Sequence, residues 1–351
     1  MAIDDLIQSA NPAPVDPLAA DERIRVLLKE NTRLKKQLSA EESGWSIIKS
    51  VLEDCYDKPL DINIVPPKSV GGGNSTETAV LHLTDIHYGK KTETYGVEVV
   101  ESRLIELCKA VSEITDLRRR FAKVGTCKLL LGGDMIEGEG IFPGQAWETD
   151  ADLIAQMIKA GPEIVLNVIL SLLQTFENVE VVGVPGNHGR QGKFNSKTNN
   201  ADSIYYEIVR KLVTIASPAA AERIKWDIPL DRERGKQWYG RFNICGPWEG
   251  MLVHGDQIKG QLGFPWYGFG KKVGGWRTSR QTGGFQFLFS GHFHTHAAFD
   301  LHDCTVFSTG SVESSNAYAL ENFAACGTPK QRLVFFNDKY GALTDYPIHL
   351  T

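Results

Sequence analysis

The chain has 351 residues, 42% hydrophobic and 23% charged, with a net charge of −5. That is enough chain to bury a sizeable core in one large domain or two small ones, and it excludes a disordered polymer, a collagen-like fibre and a small disulfide scaffold. The six cysteines are scattered with no C-x-x-C pair, so reduced thiols are expected in place of a disulfide frame or zinc knuckle. The net charge offers no global attraction for a polyanion, so any such argument must be local.

The start, Met1-Ala2-Ile3-Asp4-Asp5, lacks the basic and apolar stretches of a secretory signal. No apolar run of about 18 residues marks a membrane span. A cytoplasmic protein without a membrane partner is the expectation. The first 20 residues carry three prolines and little periodicity, and disorder is expected there. Ile24, Leu27, Asn31, Leu34 and Leu38 then fall on heptad a and d positions, and the lone Asn at an a position favours an in-register parallel pair. A homodimer through this helix is expected, against the alternative of an amphipathic helix docked on its own domain. The organisation expected is a disordered start and coil over 1–42, a helix and Pro/Gly-rich linker over 43–75, and a catalytic domain over 76–351.

From residue 76 onward strand-like and helix-like stretches alternate. Val80–Leu83, Lys128–Leu131, Val179–Val184, Met251–Val253 and Phe285–Phe289 are short apolar runs rich in β-formers. Val100, Leu104, Leu107, Cys108, Val111, Ile114 and Leu117 form a helical stripe. Leu153–Phe176 forms another, which Pro162 should kink or divide. Strand and helix in alternation predict a layered α/β fold.

The chemistry is concentrated in the residues just past each strand. The first run ends in Asp85-Ile86-His87, the second in Gly132-Gly133-Asp134 and Glu137-Gly138, the third in Gly186-Asn187-His188. The fourth leads into His254-Gly255-Asp256 and the fifth into Gly291-His292-Phe293-His294. One histidine at a strand end is ordinarily structural. Five ends that all deliver His, Asp or Asn are hard to explain by core packing, and the carboxyl ends of strands are where α/β folds place their sites. Alternate residues of an extended end share a face, so Asp-x-His and His-x-His each present two ligands together. Mixed imidazole, carboxylate and amide donors suit divalent transition metals. The set Asp85, His87, Asp134, Asn187, His254, His292 and His294 is too large for one ion and suits two, with one carboxylate bridging. Glycines beside Asp134, Asn187 and His292 let the backbone turn and gather them. Paired ions of this kind clamp the attacking and leaving oxygens of an in-line phosphoryl displacement.

In their order, Asp85-x-His87, Gly133-Asp134, Gly186-Asn187-His188, His254-Gly255 and Gly291-His292-x-His294 resemble the signature blocks of calcineurin-like metallophosphoesterases over residues 79–310. The longer stretches around them, with Gly327-Thr-Pro-Lys-Gln-Arg-Leu, are similar to the phage-encoded branch, which would place the chain in a host cytoplasm. The resemblance implies two stacked mixed β-sheets flanked by helices. It implies one ion on Asp85, His87, Asp134 and His294, and a second on Asp134, Asn187, His254 and His292. His188 would be the general acid facing the leaving group. Manganese is the ion expected first, with magnesium, iron, nickel or zinc as alternatives. Many relatives carry an acid directly after that histidine, where this chain has Gly189. Glu137 is therefore expected to hold and charge His188 in its place, while Gly138, where the phosphoprotein-phosphatase branch has an arginine, disfavours that branch.

Positive charge gathers beside these blocks. Arg190, Lys193 and Lys197 come after His188 without an acid, and Lys259, Lys271, Lys272, Arg277 and Arg280 lie in an acid-free stretch with Phe264, Trp266, Tyr267, Phe269 and Trp276. Basic residues track phosphates and aromatic faces stack on bases, so Arg190, Lys193, Lys271, Lys272, Arg277 and Arg280 are candidate substrate contacts. The activity expected is phosphodiester hydrolysis on nucleic acid, DNA before RNA. Small phosphoesters, cyclic nucleotides or nucleotide pyrophosphates are the alternative substrates, and a non-catalytic metal-stabilised scaffold is the remaining reading.

Overall fold

A computed structural model describes residues 62–141, 144–190, 199–260, 264–314 and 328–351, together with Arg23 and Lys29. The chain divides into two compact units, Met1–Asp57 and Lys58–Thr351. In the first, Arg23 and Lys29 are exposed helical positions; the proposed heptad positions Ile24 to Leu38, and with them the dimer, lie outside the described residues, as do Lys193, Lys197 and Gly327.

The second unit is built on two sheets. β1 (Thr76–Leu83), β2 (Lys123–Leu131), β3 (Asn178–Gly183) and β4 (Ile224–Asp227) run parallel, and β10 (Lys330–Asn337) and β11 (Gly341–His349) add antiparallel to β1, giving the order β11-β10-β1-β2-β3-β4. The second sheet orders β5 (Tyr239–Cys245), β6 (Trp248–Val253), β7 (Phe287–Ser290), β9 (Cys304–Ser308) and β8 (Ala297–Leu301), with β6, β7 and β9 parallel. Both sheets are mixed, and all five strands foreseen as apolar runs belong to their parallel parts.

Parallel strands need crossovers, and the crossovers supply the outer layers. α1 (Val97–Arg118) links β1 to β2. α2 (Leu153–Met157) and α3 (Ala160–Thr175) link β2 to β3, and α4 (Ala201–Ala216) with α5 (Pro218–Ala221) links β3 to β4. The long apolar stripe divides at Ile158–Lys159, ahead of Pro162, which sits in the first turn of α3 where its missing N–H costs nothing. Leu153–Thr175 is apolar and long enough to cross a membrane, yet it lies largely buried beside α1, α4 and β3 as a core segment. On the far side α6 (Trp266–Thr278) covers the second sheet, with Phe269 and Val273 packed on Met251, Val253, Leu288 and Val306.

Between the sheets Val80, Leu130, Val182 and Val334 interleave with Phe242, Leu252, Phe287, Phe289 and Phe307. Truncating one such phenylalanine costs about 3–5 kcal/mol. Ile62–Ser75, read as linker, is fastened to this unit: Ile62 N donates to Ala216 O at 2.8 Å and Val124 N to Val70 O at 2.7 Å. The result is a four-layer helix–sheet–sheet–helix arrangement in which the carboxyl ends of β1, β2, β3, β6, β7 and β9 each lead into a residue of the site.

Candidate metal centre

Among the described residues, six other than glycine have positive φ, and five of them are Asp85 (53°), His87 (49°), Asp134 (50°), His292 (70°) and His294 (49°). A left-handed backbone is costly for such residues and survives where surrounding structure fixes it, commonly at functional sites. Here the turns immediately after β1, β2 and β7 are bent to bring donors inward. Gly133 (φ 91°) and Gly186 complete the bend: a Cβ on Gly133 would lie 2.5 Å from Gly186 N, and one on Gly186 would collide with the Asp134 carboxylate.

Among the described residues three groups of three donors result, Asp85–His87–His294 and Asp134–His254–His292, which are made of sequence-derived ligands, and His87–Glu137–His188 beside them, each with donor atoms within 4.8 Å of one another. In the first, His294 Nε2 lies 3.3 Å from both Asp85 Oδ1 and His87 Nε2. In the second, His254 Nε2 lies 3.1 Å from Asp134 Oδ2 and 3.1 Å from Asn187 Oδ1. The remaining oxygen of Asp134, Oδ1, accepts from the backbone N–H of His188 at 2.7 Å. Its charge acts on Asp85 and on His87, so the two clusters are electrostatic neighbours. All seven sequence-derived ligands thus lie in one buried region.

The outer nitrogens of three of these histidines have partners. His87 Nδ1 is 2.9 Å from Glu137 Oε2, His294 Nδ1 is 3.0 Å from Glu313 Oε1, and His254 Nδ1 is 2.9 Å from Gly132 O. Each pairing turns Nε2 inward, the orientation that metal-binding histidines take from a carboxylate or carbonyl partner. Burial alone would raise the pKa of Asp85, but the His294 hydrogen bond and charge hold it well below the usual carboxylate range. Burial likewise opposes ionisation of Asp134, and the His254 and His188 charges overcome it. Desolvation opposes the charge on buried His254 and on partly exposed His294; Asp134 nonetheless raises the first to about 10, and Glu313 with Asp85 raises the second to about 10. His292 falls to about 4 through burial and the adjacent His254 charge. Strained backbone, oriented imidazoles and ionised carboxylates make a donor set that fits two divalent cations.

His188 sits beside this centre, its ring 4.5 Å from that of His87. Its Nδ1 is 2.9 Å from Glu137 O and 3.3 Å from Glu137 Oε2, so Glu137 stands between His87 and His188. Gln145 Nε2 steadies Glu137 by donating to its carbonyl at 2.7 Å and to Oε1 at 3.2 Å. Burial lowers the His188 pKa, but Asp134 and Glu137 outweigh it and lift the group to about 9. In the metal-free protein these carboxylates favour its imidazolium form at neutral pH.

Three supporting residues escaped the sequence reading. Glu313 comes after β9 and joins Lys90 (Nζ–Oε2 2.5 Å) to His294. Asp202 opens α4 fully buried, and its carboxylate accepts from Asp134 N at 2.9 Å, Gly186 N at 2.7 Å and Met135 N at 3.2 Å. It thereby ties the Asp134 turn to the Asn187 turn, and burial with the nearby Asp134 charge raises it to about 6. The capping pattern Asn200-Ala-Asp202 was the available signal, since Asn200 Oδ1 accepts from Asp202 N at 2.9 Å. Asp256 is the third, because its carboxylate pairs with Arg190.

The candidate substrate contacts separate. Arg190 and Lys272 line a common cavity with Asp256, Gln257, Trp238 and Trp276. Lys271 and Arg280 are exposed around α6. Arg277 is engaged in structure, its Nε donating to Phe285 O at 3.0 Å and Nη1 lying 3.9 Å from Asp303. Of the neighbouring aromatics, Phe264 and Phe269 pack on each other and on Phe299, Trp266 touches Phe264 and Phe299 but is more than half exposed, and Tyr267 is exposed. His82 is a neutral core residue, pushed down to about 3 by burial and bonded through Nδ1 to Thr309 Oγ1 at 2.7 Å.

No protein-family description matches the chain, and no curated protein matches it either. Solved structures do match. Vps29 from Entamoeba histolytica complexed with zinc is 12% identical, with a TM-score of 0.33 over 78% of this chain and 99% of that one. A phosphodiesterase described as archaeal is 9% identical, with a TM-score of 0.35 over 77% and 99%. An uncharacterised Streptococcus pneumoniae protein described as a predicted phosphoesterase is 10% identical, with a TM-score of 0.29 over 78% and 98%.

Proposed function

We propose that this protein is a metal-dependent phosphodiesterase that hydrolyses phosphodiester bonds of nucleic acid, with Asp85, His87 and His294 holding one divalent ion, Asp134, Asn187, His254 and His292 a second, and Asp134 shared. The observation that carries the reading is the pair of adjoining donor clusters gathered on left-handed turns at the ends of parallel strands. The resemblance of the five sequence blocks to calcineurin-like metallophosphoesterases points the same way.

When bound, such ions supply Lewis-acid activation of water and of the phosphoryl oxygens. The chain's own residues supply the rest. His188, with Nδ1 turned to Glu137, holds an imidazolium proton on Nε2 that can pass to the departing sugar oxygen. The same cation offsets charge that develops on the phosphoryl group. Glu137 fixes the rings of His87 and His188 at once, so one carboxylate sets the geometry of a ligand and of the acid. Arg190, paired with Asp256, and Lys272 line the cavity that adjoins this centre, where the substrate flanking the scissile phosphate would lie.

Incubating the protein and manganese with end-labelled single- and double-stranded DNA, RNA, cyclic nucleotides and small diesters tests the reading. Polynucleotide cleavage is expected. Turnover of phosphomonoesters or cyclic nucleotides alone would move the assignment to the small-substrate alternative, and no turnover with any divalent ion would leave a scaffold.

A further inference from the structure

Beside the metal centre lies a cavity of about 360 Å³ whose walls come from two sources. Pro185, Gly186, Arg190 and Asp256 belong to the turns that carry Asn187, His188 and His254; Trp238 precedes β5, and Lys272 and Trp276 belong to α6. We infer that this cavity is a subsite for a single nucleobase, that of the nucleotide whose phosphate lies at the metal centre. The inference rests on the phosphodiesterase reading for its second half, because it is the scissile phosphate that delivers the base.

The composition selects the ligand class. Trp238 and Trp276 meet with ring centroids 5.4 Å apart, forming a continuous indole wall, and Lys272 Nζ lies 5.8 Å over the Trp276 ring. Arg190 is paired with Asp256, which leaves the cavity with little net charge. A second phosphate would call for surplus cations and aimed backbone N–H groups. A flat, neutral, aromatic group matches indole faces, with Asp256 and Gln257 available to its polar edge. The volume lies near the lower end of the range for small-molecule sites, about 300–1,000 Å³, and so suits one nucleoside in place of a length of strand.

The test compares two diesters that differ only in the base: the p-nitrophenyl esters of thymidine 5′-monophosphate and of deoxyribose 5-phosphate, with manganese-loaded protein. The base is expected to raise kcat/KM about tenfold or more, through KM. Trp276→Leu, which keeps apolar volume against the sheet, should remove most of that advantage, and Trp276→Phe should retain most of it; thermal melting of each variant checks that it folds. Equal kcat/KM for the two esters, or an undiminished advantage in both Trp276→Leu and Trp238→Leu, would overturn the subsite. Should neither ester turn over, calorimetric binding of the same pair decides it: a Trp276-dependent preference for the thymidine ester upholds the subsite while the phosphodiesterase reading fails, and equal binding removes the subsite. Turnover indifferent to the base removes the subsite and leaves the phosphodiesterase reading standing.

Discussion

The two donor clusters are alike in their ligands and different in what stands behind them. Behind Asp85–His87–His294 lie two buried carboxylates, Glu137 on His87 and Glu313 on His294, the latter further charged against Lys90. Behind Asp134–His254–His292 the supports are polypeptide backbone: Gly132 O holds His254, and the Asp202 carboxylate hydrogen-bonds to turn amides. In the first cluster, therefore, carboxylates stand directly behind the imidazoles, and the second is the one set by loop position. A carboxylate behind an imidazole raises its basicity and its affinity for a cation more than a neutral carbonyl does. The first cluster should fill first and hold its ion longer, and the second should be the one that responds to changes in the fold.

Asp134 is where the contrast ends, because its charge acts on members of both clusters. Asp134→Ala is expected to abolish the second site, weaken the first and lower turnover by about a thousandfold or more, several kcal/mol of transition-state stabilisation. Metal content by atomic absorption alongside diester kinetics checks it, and wild-type occupancy with near wild-type turnover would break the assignment.

Proton competition comes next in size. In the metal-free protein His254 and His294 are raised from 6.5 to about 10 by their carboxylate neighbours. A raised folded pKa contributes stability that is fully present below 6.5 and is lost as pH climbs through about 10. Glu313 and Asp85 are depressed, so their contribution is present above the ordinary carboxylate range and fails as pH falls through it. Any cation must displace the imidazole protons. Apparent affinity should rise about tenfold per pH unit for each proton released, and added manganese should raise Tm more near pH 8.5 than near pH 6.5. Titration calorimetry in buffers of different ionisation enthalpy reads the protons directly, and absence of proton release would sink this account.

Glu313→Gln and Asp202→Asn then set the two kinds of support against each other. Removing the carboxylate behind His294 should weaken the tighter ion by about 10- to 100-fold. Asp202→Asn retains acceptor oxygen but loses the charge that three backbone N–H groups share, so it should lower metal-free stability more than it lowers tight-site affinity. Calorimetry and melting curves on both variants separate the effects; identical profiles would mean that the clusters are not supported differently.

The same difference explains what was legible in the sequence. The candidate ligands stood out because each stands just past an apolar run at a strand end, where a polar block has no packing reason to be. Glu137 was read from the resemblance, as the carboxylate that takes the place of the acid missing after His188. Glu313 was not, since a carboxylate that buttresses an imidazole obeys no spacing rule: it meets His294 only because β9 pairs parallel to β7 and carries the chain to the same edge. The antiparallel flank was hidden likewise, as β10 joins β1 across some 250 residues of chain, His82 opposite Arg332. Trp238 precedes β5 with nothing local to separate it from a core tryptophan.

The smallest expected effect is also the sharpest test of the electrostatic half of the comparison. Asn187 is the neutral ligand of the second cluster, its Oδ1 3.1 Å from His254 Nε2. Asn187→Asp alters one atom and gives that cluster a second carboxylate without touching Gly132, Asp202 or the turn that places it. If charge is what separates the clusters, the weaker ion should bind about three- to tenfold more tightly and the two affinities should approach each other. If backbone placement is what separates them, added charge gains nothing, and repulsion from Asp134 leaves the weaker ion where it was or loosens it. Stepwise metal titration of the wild type and this variant reads the gap between the two affinities, and a gap that fails to narrow assigns the difference to the loops.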